Sequence, residues 1–389
     1  MKRACLLVIL IAASLGLAQA PPAQKKPLDQ IQVLALLAGG VPNQRVAMLV
    51  NERGINFEPT EDYLTTLKNV GADDVLLRAV RVAMRAKAEA LTAEVAAKHA
   101  QALNHLARGA ELAQKKLYAE AEQEYRAALQ LEPDNSDLHS ALGYVLGEQK
   151  KLDLAAAEYR TAIRLQPEHV LAHYNLGLAL AQNGNLDGAI AEYRTAIRLQ
   201  PDDALAHNNL GNALYDRSNL DGAIAEYHTA IHLQPDFAGA HVNLGVALRK
   251  KGDLDGAIAE YRTAIRFQPD LAEAHNNLGL ALQDKGDLDG AIAECRIAIR
   301  LQPDYAAAHN NLGRALYMKG DPDGAIAEYR TAIRLQPDLA AAHNNLGIAL
   351  ETKGDRRAAL EELRSAYLLD PKNPTIAQEY ERLLREVNQ

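Results

Sequence analysis

Histidine recurs in this chain at a fixed 34-residue interval, at His105, His139, His173, His207, His241, His275, His309 and His343. So many imidazoles suggest a metal, as does the i, i+4 pair His228 and His232. Zinc, however, needs ligands converging within about 2 Å of one ion. Side chains that recur once per structural unit sit about one helix-packing distance apart, roughly 10 Å. No acidic or cysteine partner shares the face of His228 and His232. These histidines therefore read as packing residues, with no metal and no cofactor. Cys295 is a possible nucleophile, but its neighbours place it on an apolar face, where a thiol is inert. The sequence has no GxxxxGK[ST], GxSxG or HExxH motif, so no catalytic residue is assigned and no enzyme activity is expected.

Pro133, Pro167, Pro201, Pro235, Pro269, Pro303, Pro337 and Pro371 keep the same interval, and a glycine follows each histidine by four residues. Eight such units cover 102–373. A repeat of this length signals a solenoid of stacked supersecondary units. In the unit Ala272–Tyr305, Leu278 and Leu282 form an i, i+4 pair with His275 and Gly279 beside them, predicting a helix over 273–285. Gly286-Asp287 breaks it, and Asp289 is the expected N-cap of a second helix. That helix carries Ala291, Ile292, Cys295, Ala298 and Ile299 on one face and stops at Pro303. Each unit is a helix hairpin whose apolar face must be covered by its neighbours.

These residues resemble the tetratricopeptide repeat. Leu278, Gly279, Leu282, Ala291, Ala298 and Pro303 fall on its motif positions, and the resemblance spans eight units. The family's large aromatic early in the first helix is histidine here, and glycine (Gly188, Gly222, Gly256, Gly290, Gly324) opens the second helix. The resemblance implies an all-α, right-handed superhelical solenoid of eight 34-residue hairpins, preceded by a helical module. The expected organisation is a signal peptide over 1–20, a linker over 21–27, a helical N-terminal module over 28–101, the repeats over 102–373 and a capping helix over 374–389. The cap is expected to expose Glu379, Glu381, Arg382 and Arg385.

Residues 28–101 lack the period. Short helices are expected over 28–38, 43–53 and 60–69. A longer one starts near Asp73 and runs into the first repeat as a continuous rod. The module's core should contain Ile31, Leu34, Leu37, Val46, Leu49, Ile55, Phe57, Leu64, Leu67 and Leu76. At the N-terminus, Met1-Lys2-Arg3 precedes an apolar run, Ala4–Leu17, that ends in Ala18-Gln19-Ala20. That run is shorter than the ~20 residues needed to span a bilayer and has the layout of a cleaved leader. The expected location is periplasmic or secreted, with no membrane span in the mature chain. The net charge of −8 argues against nucleic acid as a partner.

Differences between units point to a binding face. Units 272–305 and 306–339 differ at only eight positions. Four of the differences, Glu273/Ala307, Leu280/Arg314, Gln283/Tyr317 and Asp284/Met318, cluster on the first-helix face opposite Leu278 and Leu282. In the family that face lines the inner groove, and here Tyr215, Arg249, Arg314 and Tyr317 are expected to select the partner. Beside it runs a row of amides: Asn175, Asn209, Asn243, Asn277, Asn311 and Asn345. An amide both donates and accepts, so such a row can read a peptide backbone or serve the fold. The row is similar to the asparagine ladder in the repeat domain of protein O-linked N-acetylglucosamine transferases. The expected partners are other proteins or extended peptides, bound by a non-catalytic scaffold. A substrate-recruiting module for a separate glycosyltransferase and a structural spacer are the competing readings. The oligomeric state is left open.

Overall fold

A computed structural model of the chain describes residues 28–53, 55, 57, 60–82 and 93–387. The expected leader and linker lie outside these residues, as does the stretch on which the continuous rod depends. Among the described residues there are 21 helices and no strand. An isolated bridge joins Leu28 to Ile55. The chain divides into two compact units, one reaching to Asn219 and one beginning at Leu220.

The first unit opens with α1 (Gln30–Ala38), α2 (Asn43–Arg53), α3 (Glu61–Asn69) and α4 (Asp74–Val82). Their starts follow from capping chemistry. Asp29 accepts from the Gln32 N–H at 2.8 Å while the Gln32 side chain accepts from the Asp29 N–H at 3.2 Å, a reciprocal box. Thr60 caps α3 by accepting from the Tyr63 N–H, and Asp73 caps α4 by accepting from the Leu76 N–H. Nine of the ten expected core residues are buried. Phe57 is half-buried and meets the Tyr63 ring edge-on at 5.1 Å. The Tyr63 hydroxyl donates to the Gln30 carbonyl at 2.9 Å and so ties α3 to α1. Three hairpins follow: α5 (Ala93–Gln114) with α6 (Tyr118–Leu131), α7 (Ser136–Glu148) with α8 (Leu152–Leu165), and α9 (Val170–Gln182) with α10 (Leu186–Leu199). The unit ends in α11 (Ala204–Asp216).

The second unit starts with α12 (Leu220–Leu233). Its hairpins are α13 (Ala238–Lys251) with α14 (Leu254–Phe267), α15 (Ala272–Lys285) with α16 (Leu288–Leu301), α17 (Ala306–Met318) with α18 (Pro322–Leu335), and α19 (Ala340–Thr352) with α20 (Arg356–Leu369). α21 (Pro374–Val387) closes it. Leu278, Leu282, Ile292, Cys295 and Leu312 share one core that runs through successive hairpins. Each buried leucine or isoleucine there contributes roughly 1.5–3 kcal/mol. No hairpin could bury these residues alone, so repetition itself makes the core.

One capping expectation needs correction. The N-cap of α16 is Asp287, not Asp289: its carboxylate accepts from the Gly290 N–H at 2.9 Å. A Cβ at Gly290 would lie 2.5 Å from Asp287 Oδ2, so the glycine admits the capping carboxylate. Asp289, in the first turn, pairs instead with Lys319 of the next repeat. Lys251 and Asp221, Lys285 and Asp255, and Lys353 and Asp323 repeat that link. These exposed pairs are each worth about 0–1 kcal/mol. The cap also differs from expectation. Arg382 is half-buried, and its guanidinium engages Glu351 of α19 through two hydrogen bonds of 2.8 and 2.6 Å.

Candidate functional site

Each repeat histidine sits in the first helix of its repeat, and most are hydrogen-bonded through both ring nitrogens. In the second unit, Nδ1 of His241, His275, His309 and His343 meets the carboxylate of Glu260, Glu294, Glu328 and Glu362 at 2.6 Å. The opposite nitrogen meets the carbonyl of the proline six residues earlier, at 3.0–3.2 Å. In the first unit His139 and His173 make the same two contacts. The histidine is thus a clip joining the two helices of a hairpin to the preceding turn, and more than an aromatic substitute. Burial alone would lower the pKa of His173 and of His241. Their glutamates and the proline carbonyls outweigh it, and both are raised. Among the described residues no group of three or more His, Cys, Asp or Glu is placed to hold a metal ion.

The asparagine row lies on the same first helices. In the first unit Asn175 is buried, and its Nδ2 finds no hydrogen-bond partner. Asn209 is half-buried and donates to the Tyr174 hydroxyl at 2.5 Å. In the second unit Asn243, Asn277 and Asn345 are half-buried and Asn311 is buried. Asn311 donates to Asn276 of the preceding repeat at 2.9 Å, and Asn345 to Asn310 at 3.0 Å. Neighbouring first helices are therefore stitched by amide-to-amide bonds. Each stitch uses one N–H of a group that carries two donors and an acceptor with two lone pairs.

The expected selecting side chains flank this row. Tyr215 is half-buried on α11 in the first unit. In the second unit, Arg249 and Arg314 converge on Asp284 at 2.6 and 3.2 Å, from the repeats before and after it. The Tyr317 hydroxyl pairs with Thr352 at 2.8 Å. Gln283 is only 3% exposed and its amide lies 2.8 Å from the Met318 sulfur, so this variable position packs between repeats. The face thus carries a pattern of paired charge and hydroxyl on an amide-lined floor.

Tetratricopeptide repeat profiles match residues 102–135, 140–204, 276–340 and 319–374, and a further TPR repeat profile matches 211–252 and 247–286. The chain belongs to the tetratricopeptide repeat family. No curated protein matches it. Among solved structures, it is similar to a tetratricopeptide repeat protein from Parabacteroides merdae, at 14% identity over 64% of this chain and 98% of that one, with a TM-score of 0.55. It is also similar to a chain of the APC/C hetero-tetramer Cut9–Hcn1, at 17% identity over 96% of this chain and 68% of that one, with a TM-score of 0.56. At these identities the likeness is one of fold. Tetratricopeptide repeat proteins generally act as non-catalytic scaffolds that bind other proteins or peptides, and this chain has that architecture.

Two features of this tetratricopeptide repeat chain escaped the sequence reading. The glutamate of each clip recurs at the same interval as the histidine, so the partners were present as a second series in register with the first. The stitching of Asn311 to Asn276 was signalled only by the doubled asparagines. Cys295, 1% exposed, occupies the slot filled by tyrosine in most repeats, and burial pushes its thiol up to about 12.

Proposed function

We propose that this chain is a non-catalytic scaffold that binds extended segments of other proteins along its first-helix face, outside the cytoplasm. The observation that carries the reading is the asparagine row: an amide at one slot in six of the eight repeats, two in the first unit and four in the second, where the Asn311 and Asn345 stitches each use one N–H of an amide that has two. Spaced amides of this kind suit a peptide backbone, whose own donors and acceptors alternate regardless of sequence. Arg249, Arg314, Tyr215 and Tyr317 flank the row and are suited to choosing among side chains.

The test replaces Asn209, Asn243, Asn277 and Asn311 with alanine and compares partner capture from envelope extract with the unmodified chain. Four lost bonds at about 0.5–1.5 kcal/mol each predict roughly 30-fold to more than 10⁴-fold weaker binding. A folded variant that captures the same partner equally well would remove the backbone-reading role. Failure of the unmodified chain to bind any segment saturably would favour a spacer. Cleavage of the leader is tested separately: N-terminal sequencing of exported protein should find a start at Gln19 or Pro21, and an intact Met1 on membrane-bound protein would sink the cleavage.

A further inference from the structure

The first unit contains a cavity of about 610 Å³ that the repeat pattern does not account for. Its roof is non-repeating. α1 lies across α5 and reaches α7, and the Gln114 amide of α5 donates to the Ala38 carbonyl at the end of α1, at 3.2 Å. The N-terminal module thus covers a stretch of the first-helix face. Close packing of two helix layers normally leaves no space of this size. Here small residues face each other across the gap: Ala35, Gly39 and Gly40 from the module, and Ala110, Ala113 and Ala141 from the repeats. The apolar walls are completed by Leu36, Leu106 and Leu171.

The polar lining is balanced. Asp137 and Glu168 oppose Arg53 and Lys116 in number, and Arg53 also feels the Asp29 carboxylate. The remaining polar groups are hydroxyls, amides and one imidazole, that of His169. The Tyr118 hydroxyl pairs with Glu148 at 3.2 Å, Ser136 donates to the Gln166 side-chain oxygen at 3.0 Å, and Tyr144 stands beside them. His169 is 8% exposed. Its Nδ1 accepts from the Ala172 N–H at 3.2 Å, which fixes the proton on Nε2. Nε2 lies 3.3 Å from Asp137 Oδ1 without making a hydrogen bond. The volume lies within the range of about 300–1,000 Å³ typical of ligand sites, and apolar walls with a few convergent polar groups are their usual chemistry.

We propose that this chamber is an anchor pocket for one bulky apolar side chain of a bound peptide segment, with the flanking backbone held by the rim amides and hydroxyls. The inference rests on the peptide-binding reading above and gives it a place and a side-chain preference. Charge selects the occupant. A charged headgroup would meet carboxylates and cations in equal number, whereas a neutral amide backbone finds both donors and acceptors. Small side chains on both walls leave room for an indole or phenyl ring, which carries the largest apolar surface a peptide can offer.

The chain has no tryptophan, so a tryptophan in a peptide reports alone. The probe is a neutral, end-blocked heptapeptide with one central tryptophan, compared with the same peptide carrying serine there. On titration with the full chain, the tryptophan emission should shift to the blue and saturate, and the serine peptide should not compete. Ala35→Phe and Ala141→Phe fill the chamber from opposite walls, and each should weaken binding at least tenfold with an unchanged helical signal. If a filler fails to fold, Tyr144→Phe removes a hydroxyl that is hydrogen-bonded to Tyr118, without filling the chamber, and should weaken binding severalfold. Wild-type affinity in folded fillers, or in Tyr144→Phe where the fillers unfold, would overturn the proposal, as would no saturable shift with the unmodified chain. Binding insensitive to the fillers but lost on Asn277→Ala with Asn311→Ala would exclude the chamber and leave the groove reading standing.

Discussion

His241 is held between Glu260 and Pro235, with Nδ1 2.6 Å from the carboxylate and Nε2 3.0 Å from the carbonyl. A carbonyl oxygen only accepts, so Nε2 must carry a proton. A carboxylate at that distance from Nδ1 also requires a proton between the two atoms. The arrangement therefore holds one proton more than a neutral imidazole beside a free carboxylate, as an imidazolium–carboxylate pair. His139, His173, His275, His309 and His343 have the same two partners. In the hairpins of His173 and His241, whose pKa values are raised, the clip is proton-dependent.

A pH dependence of stability follows. Burial opposes the charged ring of His241; the Glu260 hydrogen bond, the Pro235 carbonyl and the Glu260 charge outweigh it, with Arg266 opposing weakly. The folded pKa is raised, as it is for His173. A raised pKa means stability that is fully present below the unfolded value of about 6.5 and lost as pH climbs through the folded value. The urea midpoint should therefore fall as pH rises from about 6 through the raised pKa. Glu260→Gln should flatten part of that slope. An NMR titration placing His241 below about 6.5 in the native chain would refute the clip.

Much of this fold could be read from the spacing of Pro, His and Gly, because a regular repeat forces every hairpin to solve the same packing problem. What could not be read was pairing across elements. His241 and Glu260 are 19 residues apart on different helices, and only their approach in space joins two periodic series into one device. The exchange of Asp289 for Asp287 as the α16 cap has a local cause: a capping carboxylate accepts from the N–H three residues on, which Asp287 does at Gly290, whereas Asp289 already lies in the first turn of the helix. The chamber under α1 was hidden for the opposite reason. Its roof residues belong to no repeat, so no periodicity marks Ala35 or Gly39. The asparagine row was visible as a pattern, but which neighbour each Asn reaches, Asn276 for Asn311 and Tyr174 for Asn209, depends on the stacking of the helices.

Gly313 and Gly147 should respond oppositely to alanine. A Cβ at Gly313 would lie 2.7 Å from the buried Tyr329 ring, whereas one at Gly147 would meet Ala155 at an ordinary 3.9 Å. Overpacking costs roughly 1–3 kcal/mol, and replacing a helical glycine gains about 0.5–1 kcal/mol. Gly313→Ala should lower the urea midpoint and Gly147→Ala should raise it. Equal responses would mean that the Tyr329 ring moves aside freely.

Cys295 should resist thiol reagents in the native chain. Its sulfur is buried, and burial pushes its pKa to about 12, so almost no thiolate exists at neutral pH. Modification should appear only with unfolding, at a rate that rises with urea. Rapid labelling at neutral pH without denaturant would contradict the burial.

The closing helix should matter more than any single internal repeat. Deleting 272–305 brings 306–339, which differs from it at only eight positions, into the same register, so α14 meets a surface like the one it lost. Deleting 374–389 removes two buried side chains, Ile376 and Leu383, the latter from the core it shares with Leu346, Leu350 and Leu363. Two such side chains account for roughly 3–6 kcal/mol of burial. The Arg382–Glu351 fork and the Tyr367–Tyr380 stack at 5.3 Å are lost with them. The fork is partly exposed, so Arg382→Gln alone should cost only about 1 kcal/mol. The expected order on size-exclusion chromatography and in thermal melts is a soluble repeat deletion, a slightly weakened Arg382→Gln and an aggregating cap deletion. A cap deletion as soluble and stable as the repeat deletion would show that α20 can end the stack unaided, and that α21 closes nothing.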